Sequence, residues 1–437
     1  MVTDRTFTSE KWSNKTMFII AAIASAVGIG NIWRYPYLVS QNGGGSFIIP
    51  YLFAVILVGA PLMFLEFFAG SKIKKTPLLI FRQISKKYAF LGYVPIILNF
   101  LIVSYYVVVT GWTLSYLISS FSDEIITFSD YSATNFSIYS TLAVIAIIFI
   151  VMRFKITKGL EKLNKCCVPI FVISLILLFI GSIYTYGYDM ALDFYTQINP
   201  DYLFNLNTWI LAFSQAFFSL GVGICVMLTY GSYVKGKLNI FGSTAIVSII
   251  DTSIALFAGF MVVTLALGNN LPLSGGPSLA FDTLPLAFHS IPFSEFALPI
   301  FFLLLFSAAL TSALSMMEVP ITLFEDRFSF DRKKSVLILT ILLIIISFPS
   351  ALSYSGNGFE IFGAPFLDFM DETAVSYIFP FAILITVVFL AWGHKNLENE
   401  IQTIMGKASS KLFLILIKYL IPAFLILLIF LSFSKVF

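Results

Sequence analysis

Long apolar stretches separated by short polar connections run almost from end to end of the chain. A bilayer core asks for about 20 apolar residues per helix, and windows of that kind predict eleven membrane-crossing helices. They fall at about 17–39, 46–70, 91–120, 137–152, 166–187, 208–233, 240–267, 294–324, 335–352, 373–393 and 412–433. Two of them are interrupted. The first starts as an apolar helix from Ala21, then meets Gly28, Gly30, Asn31, Arg34 and Pro36 at bilayer depth. The sixth carries Phe217-Phe218-Ser219-Leu220-Gly221-Val222-Gly223-Ile224. Unpaired backbone groups are costly in hydrocarbon, so an unwound segment survives there only against protein or a wet cavity. A tightly packed kink satisfies the glycines alone, but an intramembrane arginine beside an asparagine points to a substrate or ion path.

The two breaks share a Gly-x-Gly beside a small hydroxyl residue: Gly28-Ile29-Gly30 with Ser25, and Gly221-Val222-Gly223 with Ser219. They lie five helices apart. Paired interruptions at matching places in two halves point to a transporter site near the midplane. With five helices per half, the second half enters from the opposite side. The expected fold is an all-α membrane protein with a five-plus-five inverted repeat and broken first and sixth helices. Its halves cover 12–187 and 205–393 of one transporter domain, with an extra C-terminal helix at 410–437. Half-helix amino ends present positive partial charge and free N–H groups to a carboxylate, while carboxyl ends present carbonyls to cations. That polarity suits a zwitterion with a cation, and a sugar would use little of it.

Composition agrees. The chain has 437 residues, of which 59% are hydrophobic and only 11% charged, with mean hydropathy +0.94. A soluble surface needs far more charge. Cys166, Cys167 and Cys225 do not read as a disulfide framework, and His289 and His394 are too far apart for a His-rich metal site. The formal net charge of +3 carries no nucleic-acid signal, because the basic residues occupy short connections. No cleavable signal precedes the first span.

Alternate connections carry the lysines and arginines: Lys72 to Lys87, Arg153 to Lys165, Lys235 and Lys237, Arg327 to Lys334, and Lys395 to Lys411. The intervening ones hold acids such as Asp123, Glu124, Asp189 and Asp282 and neither Lys nor Arg. This places the amino terminus in the cytoplasm and the carboxyl terminus outside the plasma membrane. The stretch 268–293 reads as a long outer loop with short helical pieces broken at Gly275-Gly276-Pro277, serving as a lid or a passive connector.

Several blocks match a family pattern: Gly28-Ile29-Gly30-Asn31-Ile32-Trp33-Arg34-Tyr35-Pro36, Gln41-Asn42-Gly43-Gly44-Gly45-Ser46-Phe47, and Gly59-Ala60-Pro61-Leu62 leading to Glu66. Further blocks are Tyr105-Tyr106 with Trp112, Gln215-Ala216-Phe217-Phe218-Ser219-Leu220, Thr229-Tyr230-Gly231-Ser232-Tyr233 and Leu310-Thr311-Ser312-Ala313. Nearly the whole chain resembles the neurotransmitter:sodium symporters, specifically the eleven-helix bacterial amino-acid transporters.

The resemblance implies two sodium sites and no organic cofactor. Site one would use Ala26, Asn31, Ser219, Asp251 and the substrate carboxylate. Site two would use Ala24, Val27, Ala308, Thr311 and Ser312. Hydroxyls such as Thr311 and Ser312 also back-bond to the preceding turn, and the residues alone leave both readings open. The substrate would touch Ser25, Ala26, Ile29, Gly30, Ile102, Tyr106, Phe218, Ser219, Gly221, Ile224, Ser312 and Met316. Arg34 with Asp371 would form the outer gate, joined directly or through water, and Trp12 with Asp326 the inner gate. The family's arginine three residues before that tryptophan is replaced by Ser9, leaving Arg5 or Lys11 as substitutes. Glu66 and Glu318 are expected to bond backbone N–H groups of the broken helices. At Asp251, chloride-dependent relatives have a neutral amide, and a serine four residues on where this chain has Ala255. A fixed carboxylate supplies the charge that chloride supplies elsewhere, which implies chloride-independent transport.

The expected pocket is apolar, and Gly221, standing where relatives for small or aliphatic amino acids often carry serine, leaves room for a bulky side chain. The expected function is sodium-coupled import of hydrophobic amino acids, bulky aliphatic or aromatic, by alternating access. A proton-coupled carrier and a transport-inactive amino-acid sensor of the same fold remain as alternatives. An enzyme is disfavoured, because no nucleophile–base pair or metal cluster stands in the spans. The partners are substrate, sodium and lipid, with no nucleic acid, and the oligomeric state is open.

Overall fold

A computed structural model describes residues 10–434, apart from 123–125, 274–275, 292–293, 357 and 395. Ser9, Arg5, Gly275, Lys395, Asp123 and Glu124, all named above, lie outside the described residues. The first break separates α1 (Lys15–Ala26) from α2 (Gly30–Gln41), which differ in direction by 50°. Then follow α3 (Gly45–Ile73), α4 (Ala89–Ser119), α5 (Phe136–Met152) and α6 (Leu160–Tyr186). The second break separates α7 (Leu206–Leu220) from α8 (Val226–Ser232). After it come α9 (Ile240–Gly268), α10 (Leu279–Phe288), α11 (Ser294–Phe328), α12 (Arg332–Ser353), α13 (Phe366–Gly393) and α14 (Lys407–Leu431), with shorter helices in the connections.

Among the described residues, eight helices are long and apolar enough to cross a membrane, and the bent α1–α2 pair makes a ninth. The other two expected spans correspond to α5, with 17 residues, and to α7 and α8, with 15 and 7. Apolar windows place most spans to within a few residues. The starts of α6, α13 and α14 come earlier because charged or polar residues interrupt the apolar window there (Glu161 and Lys162, Asp368 and Asp371, Lys407 and Lys411), and a helix backbone bonds to itself whatever its side chains meet. Within the stretch 268–293, α10 forms the helical piece.

Burial sorts the helices. Residues 307–323 of α11 are all buried, including the polar Ser307, Thr311, Ser312, Ser315, Glu318 and Thr322, so this helix is enclosed on every side. On α6, Ile173, Ile176, Leu177 and Ile180 are exposed at helical spacing, which gives a stripe facing lipid. A short antiparallel pair, Glu360–Ile361 with Ala364–Pro365, caps the turn between α12 and α13.

Candidate functional site

The first break frees backbone groups and then reassigns them. In a continuous helix the N–H groups of Gly28 and Ile29 would bond the carbonyls of Ala24 and Ser25. Instead Gly28 N–H donates to Asn31 Oδ1 at 3.0 Å and Ile29 N–H to the Tyr106 hydroxyl of α4 at 3.2 Å. The Ser312 hydroxyl of α11 faces the carbonyls of Val27, Ser25 and Ala24 at 3.0, 3.2 and 3.5 Å. On the adjacent residue, Thr311 Oγ1 donates to the Ser307 and Ala308 carbonyls at 3.1 and 3.0 Å. Of the two open readings, Thr311 back-bonds within its helix while Ser312 reaches across to the break. One hydroxyl proton cannot satisfy three carbonyls, whereas a hard cation takes several oxygens at once. A β-carbon at Gly28 would stand 2.7 Å from the Tyr106 hydroxyl and 2.8 Å from Ser312 Oγ, so only glycine lets the backbone come this close.

A second oxygen cluster adjoins it. Asn31 Nδ2 donates to Asp251 Oδ1 at 2.8 Å, to Ser219 Oγ at 2.9 Å and to the Asp251 carbonyl at 3.2 Å. Ser219 Oγ donates to Asp251 Oδ2 at 2.8 Å. Asn31 and Asp251 have no exposed surface, and no cationic side chain is bonded to this carboxylate among the described residues. A buried carboxylate ringed by an amide and a hydroxyl has the chemistry to hold a hard cation.

The second break is held from α3. Glu66, almost fully buried, accepts Gly223 N–H on Oε1 at 2.5 Å and Leu228 N–H on Oε2 at 3.2 Å. Gly223 has φ +84°, and a β-carbon there would lie 2.3 Å from Ile383 Cγ1. Glu318, expected to act in the same way, does not. It accepts Arg332 Nη1 at 3.0 Å, Arg332 Nη2 at 2.7 Å and the Tyr233 hydroxyl at 2.9 Å. A guanidinium fork fits a carboxylate better than single N–H groups do, and Arg332 takes it.

Between the breaks is a cavity of about 30 Å³. Ser25, Ala26, Gly30, Ile102, Tyr106, Phe218, Ser219, Gly221, Ile224, Ser312 and Met316 line it, together with Asn31. Of the residues expected at the substrate, Ile29 alone lies elsewhere, past the bend, on an outer cavity of about 230 Å³. Gly28, Val226 and Phe379 also line the inner cavity. Gly28 was within reach of the sequence as part of the first break, whereas Phe379 lies in an unbroken apolar run without any signal.

Gly30, Tyr106 and Phe218 line both cavities, so the Phe218 ring stands between them. Arg34 lies over that ring, 5.6 Å from its centroid, and donates to Gln215 Oε1 at 2.9 Å. Gln215 Nε2 in turn donates to the Gly30 carbonyl at 2.9 Å. Asp371 faces the same outer cavity, but the direct Arg34–Asp371 ion pair does not form. Gln215, quoted in a motif without a role, is the partner Arg34 takes. On the other side, Trp12 Nε1 donates to the Tyr230 carbonyl at 2.9 Å and Trp12 N–H to the Tyr233 carbonyl at 3.1 Å. Asp326 makes no contact with Trp12 by hydrogen bond, and its Oδ2 is buried without a partner. Lys11 is exposed and makes no ion pair among the described residues.

Broken helices meeting over oxygen clusters and an apolar cavity define a multi-pass membrane transporter rather than an enzyme. The family model described as "Sodium:neurotransmitter symporter family" matches residues 9–135 and 125–437. A sodium-dependent transporter of Methanocaldococcus jannaschii is 36% identical over 411 residues, 88% of this chain and 82% of its own. A sodium-dependent transporter of Bacillus subtilis is 28% identical over 94% of this chain and 95% of its own length. The crystal structure of MhsT in complex with L-phenylalanine superposes with TM-score 0.89 at 31% identity, covering 97% of this chain and all of that one. The chain belongs to the sodium:neurotransmitter symporter family and is a sodium-dependent transporter.

Proposed function

We propose that this chain imports bulky aliphatic or aromatic amino acids together with sodium, by alternating access and without chloride. One observation carries the reading: the two helix breaks meet at a small cavity with an apolar far wall, and backbone groups released at the first break face the Tyr106 and Ser312 hydroxyls beside it. The substrate carboxylate would lie by Gly30, the Tyr106 hydroxyl and a first sodium on Ala26, Asn31, Ser219 and Asp251. A second sodium would take Ala24, Val27, Ala308, Thr311 and Ser312. Coupling follows because the carboxylate completes one sodium shell, so each loses ligands without the other. Asp251 supplies fixed negative charge, which supports chloride independence.

The side chain would fill the space by Ile102, Ile224, Met316 and Phe379, none of which favours charge. A β-carbon at Gly221 would meet only Met227 Cε at 3.8 Å, so glycine there leaves volume on the cavity wall. L-Phenylalanine in the similar MhsT structure supports the bulky class. In this reading the halves 12–187 and 205–393 form the inverted repeat and 410–437 adds the eleventh span. The amino terminus is cytoplasmic, the carboxyl terminus is outside, and the membrane is the plasma membrane.

The test is uptake of labelled phenylalanine and leucine into proteoliposomes. Accumulation should need sodium inside-directed, collapse when choline replaces sodium at constant pH, and persist when gluconate replaces chloride. Uptake driven equally well in choline by a proton gradient would mean a proton-coupled carrier. Sodium-dependent binding without accumulation would mean a sensor.

A further inference from the structure

The segment ahead of α1 is fastened by two carboxylates that bond backbone instead of cations. Glu10 Oε2 accepts Ile156 N–H at 3.0 Å, and Ser13 N–H donates to Glu161 Oε1 at 2.6 Å. The two acids are 8% and 4% exposed, and the Glu10–Ile156 bond is buried while the Glu161–Ser13 bond is partly so. Ile156 and Glu161 are themselves linked, the Glu161 N–H donating to the Ile156 carbonyl at 2.9 Å. The result is reciprocal: one acid reaches from the terminal segment to the α5–α6 connection, the other reaches back from the first turn of α6. Between them stands Trp12, bonded on its other side to the end of α8. Lys158, Lys162 and Lys165 flank Glu161 yet form no ion pair among the described residues. Arg332 Nε bonds the carbonyls of Met152 and Phe154, both at 2.8 Å, which anchors the start of the same connection.

We infer that Glu10 and Glu161 are positioning residues that latch the Trp12 segment over the cytoplasmic end of the site. The segment then leaves α8 only when the connection at 156–161 lets go, and inner opening is tied to the first turn of α6. Such a latch does the work expected of the Trp12–Asp326 pair and needs no arginine at position 9. It rests on the alternating-access reading, but its test does not depend on the substrate.

Amide hydrogen exchange of the full chain in lipid nanodiscs with sodium tests it, using Glu161→Ala, Glu161→Gln and, as a control, the exposed Lys162→Ala. Charge-assisted bonds of this kind make exchange across α1 about ten- to hundredfold faster in Glu161→Ala. Glu161→Gln keeps an acceptor oxygen without the charge and should fall between wild type and Glu161→Ala, while Lys162→Ala should match the wild type. Exchange in Glu161→Ala equal to wild type overturns the latch. So does a Glu161→Gln variant as fast as Glu161→Ala, or an increase spread equally over α4, which reports general loosening. Sodium-dependent uptake by the wild type is read separately, so loss of the latch and loss of the transport reading give different results.

Discussion

At the scale of single residues, Asp251 carries the sharpest consequence. Its carboxylate is buried beside Asn31 and Ser219 with no cationic side chain bonded to it among the described residues. Replacing it by asparagine removes a fixed charge where sodium would need one. Glu and Asp at membrane depth are seldom idle, and Asp251→Asn should weaken apparent sodium affinity by about tenfold or more in gluconate. Added chloride should restore part of it. Uptake measured against sodium concentration in the two anions decides; an unchanged sodium curve would remove Asp251 from the coupling. Arg34 teaches the converse. Its charge at bilayer depth was legible, but its partners were not, because Gln215 and the Phe218 ring reach it across more than 180 residues of sequence.

At the scale of helices, the glycine pairs and the polar residues beside them made both breaks readable in advance. What closes them was only half readable. Glu66, expected on the freed N–H groups, bonds Gly223 and Leu228, whereas Glu318, expected to do the same, is taken by Arg332. Composition does not tell two buried glutamates apart; the difference lies in which helix end or cation the tertiary packing delivers to each. Glu66→Ala would leave two buried N–H groups unpaired, at about 1–3 kcal/mol each. Glu66→Gln keeps one acceptor and should lose less. Thermal unfolding in detergent should rank them wild type, Gln, Ala, and equal losses for Gln and Ala would deny the bonds their role.

At the scale of the whole molecule, the seal on one side of the site is hydrogen-bonded shut while the Arg34–Asp371 pair on the other is open. This asymmetry arises from long-range bonds among the terminal segment, the α5–α6 connection, α6, α8, α11 and α12. The bonds that hold the terminal segment join residues 146, 148 and 218 apart in sequence, which is why span positions were readable and the state of the gates was not.

The amide of Asn31 sets an order of arrival. Its NH₂ now occupies the spot among the Ser219 and Asp251 oxygens that a sodium ion would claim, a neutral stand-in for the ion, while its oxygen engages Gly28 N–H. An ion bound there would have to turn that amide about. Turning it releases Gly28 N–H toward the cavity, a donor newly free for a carboxylate. On the proposed sodium site, metal would therefore prepare the seat before the amino acid takes it. Calorimetry should register phenylalanine binding after sodium has been added and markedly weaker binding in its absence, and equal affinity in both would mean that the amide never turns.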